Sequence, residues 1–376
     1  MSNRLGKTCL EPIIKWPGGK ERELPQIVQY APKEYRRLFD PFVGGGSVFM
    51  ALQAEAYFIN DYSEELISLY QNIKSKDEYF FRFVGEIDES WMKIGDFVKE
   101  ESPIIEGIYL RYRESLNKTD LKSRLECFCN DTSLKIESVL SESFCYKDLL
   151  VKELKSNLFR KCTRMRDLET ENGQLPKSDL CDNIEACAKS ALYMYYRTIY
   201  NRKENTDIQS ALFFFLRNYA YSGMFRYNSK GEFNVPYGGI AYNSKTLSKK
   251  LNFYRTQKVQ KKFKLTEIHN KDFEQFLRES HLLNDDFVFL DPPYDSEFST
   301  YAQNEFSKED QKRLANYLIN DCPARWMLII KHTDFIYGLY ANKEGVNIRA
   351  FEKEYVVSFM NRNNKKVTHL LITNYV

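Results

Sequence analysis

The sequence predicts an α/β protein with a mostly parallel sheet, interrupted by a long and mainly helical insertion. Apolar runs alternate with helical patterns near both ends of the chain, and a strand followed by a helix is typical of parallel pairing. The last residues, 354–376, contain two apolar stretches around the polar turn "NRNNKK", which predicts an antiparallel hairpin. We therefore expect one mixed sheet built from both ends of the chain.

Strands and helices alternate in the same order in both halves of this sheet. "RRLFD" and "AYFIND" are predicted strands, and the helical segment "YSEELISLYQNIK" follows the second. Towards the end of the chain, "DDFVFLD" and "RWMLIIK" are predicted strands on either side of the helix "SKEDQKRLANYLI". Ser307 is the expected N-cap of that helix, with Asp310 at its third position.

Residues 75–266 differ in character and are predicted to form a second domain, inserted into a first domain made of residues 1–74 and 267–376. Segments such as "KDLLVKELKSNLFRKCTRM" have helical periodicity and mixed charge, which is typical of a solvated scaffold. "LETENGQLPKSD" is predicted to be a loop. The stretch from Phe233 to Thr266 has no acidic residue, and its cations predict a surface that faces a polyanion. These cations are Lys245, Lys249, Lys250, Arg255, Lys258, Lys261, Lys262 and Lys264.

The composition argues against several other classes of protein. With 376 residues and 43% hydrophobic content the chain can bury a large core, and its net charge of +3 is too small to identify a partner. The eight cysteines include no CxxC pair and lie far from most of the four histidines, so we expect free thiols and no metal site. We see no signal peptide and no stretch long enough to span a membrane, so a cytoplasmic protein is expected.

The segment "FDPFVGGGSVF" has an acid, Asp40, at the end of a strand and three glycines at the start of a helix. Glycines allow a ligand to approach main-chain N–H groups at a helix N-terminus. The pattern is not a dinucleotide fingerprint, because Phe49 replaces the last glycine, and no Lys-Ser/Thr follows as in a phosphate-binding loop. A nucleoside without a triphosphate fits better, and Asp61 after the next strand can bind its ribose hydroxyls. A purely structural role for Asp61, as an acid at a helix N-terminus, stays open.

A second motif, "DPPY", follows the apolar strand that ends at Leu290. Two prolines fix the backbone and lack N–H donors, so the Asp291 carboxylate and a bare carbonyl can accept hydrogen bonds from one amino group. Tyr294 offers a flat face on which a base can stack. Asp291, Pro292, Pro293 and Tyr294 together therefore suit a planar heterocycle that carries an NH2 group.

With these motifs the sequence resembles the Dam-type DNA adenine-N6 methyltransferases, which use S-adenosyl-L-methionine. "KWPGGK", "FVGGGSVF", "IND", "LRNYAYSGMFRYNSKGEFNVP" and "DPPY" occur in the order of that family, and the resemblance covers nearly all of both ends and residues 212–239. It implies a Rossmann-like methyltransferase sheet, a double-stranded DNA substrate and a target adenine flipped out of the duplex onto Tyr294. It also implies direct in-line transfer, in which Asp291 and the Pro292 carbonyl accept hydrogen bonds from the 6-amino group.

The resemblance also implies roles for individual residues. The positions that match the cofactor site are Trp16, Lys20, Asp40, Phe42, Val43, Gly44, Gly45, Gly46, Ser47, Asp61, Asp272, Phe273 and Asp291. The candidate DNA contacts are Lys15, Tyr221, Ser222, Arg226 and Asn228 from the resemblance, with Lys245, Lys249 and Lys250 from the charge pattern. Arg226 agrees with guanine recognition in the major groove. Ser222 stands where GATC-specific members carry asparagine, so the resemblance does not fix GATC as the recognition sequence.

Three other functions stay open from the residues alone. Cytosine-N4 methylation uses the same acceptors, although related cytosine enzymes more often carry serine in place of Asp291. Methyltransferases of RNA or of protein glutamine usually carry asparagine there. A DNA-binding subunit without catalytic activity is the third. We expect a monomer, and a cognate restriction endonuclease that acts separately is the protein partner to consider.

Overall fold

The structure is a computed structural model that describes residues 10–293, 306–354 and 366–376. The chain divides into two compact units. Met1–Ser75 and Tyr254–Val376 form one, here called the sheet unit, and Lys76–Phe253 form the other, here called the helical unit. The sheet unit is thus assembled from both ends of the chain.

The described part of the sheet unit contains one seven-stranded sheet. Its strands are β1 (Arg37–Asp40), β2 (Ala56–Asn60), β3 (Thr266–His269), β4 (Phe287–Leu290), β5 (Arg325–Lys331), β6 (Asn347–Glu354) and β7 (Lys366–Thr373). The order across the sheet is β3-β2-β1-β4-β5-β7-β6. The first five strands in this order pair in parallel, and β7 is antiparallel to both of its neighbours, β5 and β6. The predicted mixed sheet with an antiparallel end is confirmed. The first strand of the hairpin begins at Asn347, earlier than predicted, and the predicted turn lies almost entirely outside the described residues.

The central strands are buried on both faces, which explains why their sequences are uninterrupted apolar runs. All four residues of β4 and the five inner residues of β5 are buried. Phe39, Val288 and Leu328 from neighbouring strands share one core with Leu314 and Leu318 of a covering helix. Strands packed in this way are rigid supports for the residues that directly follow their carboxyl ends.

The helices are numbered in chain order across both units. Those of the sheet unit are α1 (Leu24–Tyr30), α2 (Ser47–Ala51), α3 (Glu64–Ser75), α11 (Gln257–Lys264), α12 (Phe273–Glu279), α13 (Lys308–Asn320) and α14 (Asp334–Tyr340). Those of the helical unit are α4 (Glu78–Ser115), α5 (Lys118–Asp131), α6 (Ser133–Glu137), α7 (Lys147–Asn172), α8 (Lys177–Arg202), α9 (Thr206–Tyr219) and α10 (Ser248–Arg255), the last of which runs two residues into the sheet unit.

The predicted start of α13 is confirmed: Ser307 Oγ accepts a hydrogen bond from Asp310 N–H at 3.2 Å, and the Asp310 carboxylate accepts one from Ser307 N–H at 2.9 Å.

Residues 254–266 belong to the sheet unit and not to the insertion in which the sequence analysis included them. The reason is packing: the buried ring of Phe263 in α11 lies 5.8 Å from the ring of Phe49 and 6.1 Å from that of Tyr70. Strand β3 follows directly and pairs with β2. β3 was not predicted, because "TEIH", at the edge of the sheet, is not an apolar run.

The helical unit is built around aromatic side chains. Trp91 of α4 lies 5.5 Å from Phe215 and 4.4 Å from Tyr219, both on α9. Phe213, Phe214 and Phe215 are all buried, so the triple phenylalanine is core. The predicted loop "LETENGQLPKSD" is mostly helical, because α7 ends and α8 begins within four residues of each other, at 173–176.

The described residues contain no helix that is both long enough and apolar enough to cross a membrane. All cysteines in the described part of the chain are free thiols. Burial raises the pKa of the Cys162 thiol to about 12, which makes it an unreactive core residue. The same part of the chain contains no group of three metal-ligating side chains.

Candidate functional site

The candidate site lies at the carboxyl ends of β3, β2, β1 and β4, which are neighbours in that order. Asp40 is the last residue of β1, Asp61 follows β2, Asp291 follows β4, and Asp272 lies three residues after β3. The chain continues from β1 to β2 on one side and reaches β4 on the other, so the strand order reverses at β1. Open α/β sheets bind their ligands at such a reversal.

Asp40 is almost completely buried at this reversal. The main-chain N–H of Phe42 donates a hydrogen bond to its carboxylate, but Oδ1 has no hydrogen-bond partner among the described residues. Burial raises the pKa of Asp40 well above its usual range, and the nearby charges of Asp291 and Asp61 raise it further. A buried carboxylate oxygen in this state is suited to a cationic or N–H donor from a ligand.

Lys20 connects the "KWPGGK" segment to the loop after β4. Its side chain is 2% exposed, and its ammonium group forms an ion pair with the carboxylate of Asp291. The same group donates a hydrogen bond to the Gly18 carbonyl at 2.9 Å, and the main-chain N–H of Lys20 donates to Ser47 Oγ at 3.2 Å. Residues from three distant parts of the sequence therefore meet at this lysine.

The three glycines after β1 are required by the protein's own packing. A Cβ atom on Gly44 would lie 2.9 Å from Trp16 Cδ1, and one on Gly45 would overlap the Ile14 carbonyl. Gly46 has a φ of 78°, and its Cβ would overlap the hydroxyl of Tyr70. The role predicted for these glycines is to allow the approach of a ligand. The structure gives a second cause, the close contact of the loop with the "KWPGGK" segment and α3.

Asp61 holds the glycine loop in place. Its Oδ2 accepts a hydrogen bond from Gly44 N–H at 3.0 Å, and its Oδ1 accepts one from Ser63 N–H at 3.0 Å, just before α3. Burial raises the pKa of Asp61, while these main-chain donors lower it. The structural role at a helix N-terminus is therefore present, and each oxygen has a further lone pair with which a ligand hydroxyl can be bound.

Asp272 and Phe273 follow β3 at the other edge of the site. Asp272 is the N-cap of α12, and its Oδ1 accepts a hydrogen bond from Arg313 Nη2 at 2.8 Å. The ring of Phe273 lies 5.6 Å from that of Phe42 and 5.3 Å from that of Phe306. These three rings form an apolar surface between the loops after β1 and β3, of the kind on which a flat base can lie.

The loop after β4 contains the first three residues of "DPPY". Pro292 is buried and Pro293 is exposed. The carbonyl of Pro293 accepts a hydrogen bond at 3.0 Å from Nε2 of Gln311, a fully buried residue of α13. Tyr294, the predicted stacking residue, lies outside the described residues.

The candidate DNA contacts of the helical unit lie on the 220–237 hairpin, which is closed by two isolated antiparallel bridges. Tyr221, Ser222 and Arg226 are exposed on it, whereas Phe225 is buried beneath. Ser222 has a φ of 52°, in the left-handed region that few residues other than glycine, asparagine and aspartate adopt readily. The hairpin therefore combines an apolar base with an exposed polar side.

Arg226 and Asn228 have different surroundings on this hairpin. Nε of Arg226 donates a hydrogen bond to Asn234 Oδ1 at 3.0 Å, which orients the guanidinium group. Its terminal NH2 groups are those that could bind guanine. The Asn228 side chain accepts hydrogen bonds from the N–H groups of Lys230 and Glu232 at 2.9 and 3.0 Å, so it stabilises the turn.

The predicted cationic surface is only partly exposed. In the helical unit, Lys249 is exposed, Lys250 is half-buried, and the ammonium group of Lys245 donates to the Asn218 carbonyl. In the sheet unit, Lys262 is buried, and its Nζ donates to the Leu52 carbonyl at 2.7 Å. The inclusion of Lys262 in that surface is therefore wrong. In the sheet unit, Lys258, Lys261 and Lys264 of this basic stretch are exposed, and so is Lys15 of the "KWPGGK" segment.

Sequence reasoning missed several residues around the site. Phe306, Gln311 and Arg313 come from the start of α13 and contact the loops after β1, β3 and β4. The only signal in the sequence was that their helix is the next one predicted after "DPPY". Tyr70 was also missed, although its hydroxyl donates to the Gly44 carbonyl at 3.0 Å.

A largely parallel sheet with buried carboxylates, a glycine loop and an Asp-Pro-Pro motif at its strand ends defines the class of Rossmann-like methyltransferases. The chain belongs to the D12 class of N6 adenine-specific DNA methyltransferases, since the model of that family matches residues 16–158 and 172–357. Membership of this family makes the chain an adenine-specific DNA methyltransferase and implies that it uses a methyl donor. The adenine interpretation is thereby confirmed over the cytosine alternative.

Relatives of similar length support this assignment. The chain is 24% identical to the Type II methyltransferase M1.LlaDCHI of Lactococcus lactis subsp. cremoris, over 98% of this chain and 97% of the relative. It is 24% identical to the Type II methyltransferase M.MjaIII of Methanocaldococcus jannaschii, over 97% and 99%. The DNA adenine methylase of Escherichia coli K12 is also 24% identical, over 81% of this chain and 73% of the relative.

Proposed function

We propose that the protein transfers a methyl group from S-adenosyl-L-methionine to the 6-amino group of an adenine that is flipped out of a short duplex recognition sequence. The observation that carries this proposal is that two carboxylates, those of Asp40 and Asp291, lie near each other at the strand reversal. Asp40 has an unused buried oxygen, and Asp291, close enough to raise the pKa of Asp40, begins the Asp-Pro-Pro motif. One carboxylate is suited to the methyl donor, and the other to the acceptor base.

The residues fit S-adenosyl-L-methionine. The orphan oxygen of Asp40 is suited to the α-ammonium group, the main chain of residues 42–47 to the amino acid end, and Asp61 to the ribose hydroxyls. Phe42 and Phe273 offer apolar faces to the adenine ring. Trp16 packs against Gly44 of this loop, and the main-chain N–H of Lys20 donates a hydrogen bond to Ser47 at its end. When bound, the compound would supply an electrophilic methyl group on a sulfonium: its methyl–sulfur bond would break as the carbon–nitrogen bond forms, leaving a neutral thioether, and the amino nitrogen would release one proton to solvent.

Asp291 and the carbonyl of Pro292 orient the target amino group. Both are acceptors, so they bind the two N–H groups and direct the nitrogen lone pair out of the ring plane. Lys20 keeps the Asp291 carboxylate in one position through their ion pair. Tyr294 stacks on the flipped base. Catalysis then depends on positioning, which can supply roughly 7–11 kcal/mol of the barrier.

The helical unit, Lys76–Phe253, is proposed to recognise the DNA; it makes up most of the insertion predicted at residues 75–266. Arg226, oriented by Asn234, is suited to guanine, while Tyr221 and Ser222 are exposed where they can occupy the space left by the flipped base. Lys249 and Lys250 supply phosphate contacts, to which Lys15 adds from the sheet unit.

The relatives include Type II methyltransferases and DNA adenine methylases. We therefore propose a role in a restriction-modification system or in epigenetic marking, as a monomer in the cytoplasm. A cognate endonuclease would act separately on the same sequence.

Modified-base sequencing tests the proposal. DNA is sequenced from a host that lacks adenine methylation and expresses either this protein or its Asp291→Ala variant. Methylated adenines in one short motif, absent with the variant, would support both the reaction and the assignment of Asp291. A mark on cytosine, or no mark with wild-type protein, would contradict the proposal.

A further inference from the structure

The start of α13 contacts three of the loops that form the site. Phe306, just before the helix, packs against Phe42 in the loop after β1, at 5.6 Å between ring centres. Arg313 binds the loop after β3 through the hydrogen bond to Asp272. One turn into the helix, Gln311 binds Pro293 in the loop after β4. The helix is therefore a common support for the cofactor side and the base side of the site.

Gln311 is an unusual residue for its position. It is 0% exposed, on a helix face whose other buried members include Leu314 and Leu318. Its Nε2 donates to the Pro293 carbonyl at 3.0 Å, but its Oε1 has no hydrogen-bond partner within the described residues. A buried amide with an unpaired oxygen is destabilising compared with an apolar side chain of the same shape. Among the contacts that the structure describes, fold stability alone would thus favour methionine here.

The two prolines limit how the Asp-Pro-Pro loop can be held. Neither has an N–H group, so after Asp291 the backbone of this loop can form hydrogen bonds only through its carbonyls. The Gln311 hydrogen bond holds the carbonyl of Pro293, and because the proline ring fixes φ, ψ of Pro293 is the one main-chain rotation left between this carbonyl and that of Pro292. The Pro292 carbonyl is one of the two proposed acceptors for the target amino group.

We infer that Gln311 is a positioning residue for methyl transfer: through Pro293 it sets the direction of the Pro292 carbonyl. The inference rests on the proposed function, because it concerns the same acceptor pair. Gln311 itself touches neither cofactor nor base. Loss of the Gln311 hydrogen bond shifts the Pro292 carbonyl out of line with the target amino group, and small misplacements of this kind cost up to roughly 100-fold in rate.

Two substitutions separate positioning from a structural role. Gln311→Met keeps the volume and removes the donor. We expect a methyl-transfer rate roughly 10- to 100-fold lower in single turnover, with unchanged affinity for S-adenosyl-L-methionine and a melting temperature equal to or above that of wild type. Gln311→Glu keeps the shape, but only the protonated acid can donate to the carbonyl. Its rate, relative to wild type, should therefore fall as pH rises and recover as pH is lowered.

The control is Asn316→Asp, which makes the same amide-to-acid change on the exposed side of α13. It should have the rate and the pH profile of wild type. A Gln311→Met variant that transfers at the wild-type rate would overturn the inference, as would one that loses rate only in proportion to a lower melting temperature. If wild-type protein itself transfers no methyl group to adenine in duplex DNA, the proposed function fails and the inference fails with it. Normal wild-type transfer with unaffected Gln311 variants refutes the inference alone.

Discussion

The strand-end loops of the sheet unit have charged groups that are buried or half-buried, whereas the 220–237 hairpin of the helical unit exposes polar groups on a buried aromatic base. In the loops, Asp40 and Lys20 are almost fully buried. On the hairpin, Tyr221, Ser222 and Arg226 are exposed, and of these Arg226 is oriented by a neighbour, Asn234.

The difference agrees with what each region is proposed to bind. Methyl transfer needs acceptors in fixed positions inside a site without competing water, and buried charges with internal partners supply this. Recognition of a duplex needs side chains that can reach base edges and phosphates, which requires exposure. Substitutions in the loops should therefore change rate, affinity for the cofactor and fold stability, whereas substitutions on the hairpin should change sequence preference.

The largest effect is expected from Asp291→Ala. Removing a group that is aimed at the reacting atoms typically lowers the rate by roughly 10²–10³-fold, and here one of the two acceptors is lost. The buried ammonium of Lys20 also loses its partner, so the free energy of unfolding should fall by about 3 kcal/mol. Single-turnover kinetics and chemical denaturation measure the two effects. Affinity for duplex DNA should be retained, and turnover close to that of wild type would contradict the assignment of Asp291.

Asp40→Asn should weaken the binding of S-adenosyl-L-methionine by about 1.5–3 kcal/mol, because a charge-assisted hydrogen bond is lost. The pKa of Asp40 is raised in the folded protein by burial and then by Asp291 and Asp61, so the folded chain keeps this proton where the unfolded chain has lost it. Stability linked to Asp40 therefore falls as pH rises from the ordinary Asp pKa to the raised one.

The cofactor ammonium favours the ionised form of Asp40, so affinity should rise with pH over the same range. Calorimetry in buffers of different ionisation enthalpy measures the released proton. In Asp40→Asn both the proton release and the pH dependence should disappear, and the variant should be at least as stable as wild type near neutral pH. An unchanged pH dependence would show that Asp40 does not contact the ammonium group.

Arg226→Ala tests the hairpin side of the comparison. Loss of a bidentate guanine contact should reduce discrimination between cognate and altered sequences by about 1–3 kcal/mol without changing the transfer step. Arg226→Lys keeps the charge but not the bidentate geometry, so it should also lose discrimination. Competition binding with duplexes that differ in one base pair is the measurement. An equal loss of affinity for every duplex would identify Arg226 as a phosphate contact.

The smallest effect is expected from the exposed lysines. Lys249→Ala should reduce the slope of log affinity against log salt by about one, with little change in fold stability. Lys262→Met is the matched control from the same basic stretch, since its ammonium group is buried against the Leu52 carbonyl. It should lower the free energy of unfolding and leave the salt slope unchanged. The reverse result would mean that burial has been misassigned between these two lysines.

Much of the site was predictable because its residues directly follow strands with strong apolar patterns. Asp40, Asp61 and Asp291 each come at or just after such a strand, and parallel pairing brings those ends together. Lys262 was not predictable, because a buried lysine and an exposed one look alike in a basic stretch. β3 was missed because its four residues at the sheet edge carry no apolar run.

The sequence by itself determined the fold class and the family and suggested the proposed acceptor pair, because these depend on local patterns: apolar strands, a glycine loop, and an acid next to two prolines. Tertiary structure alone decided which groups are held together across the chain. The Lys20 to Asp291 ion pair and the Gln311 to Pro293 hydrogen bond join residues that no local pattern relates. The same holds for the pKa of Asp40, which depends on burial and on charges brought close by neighbouring strands.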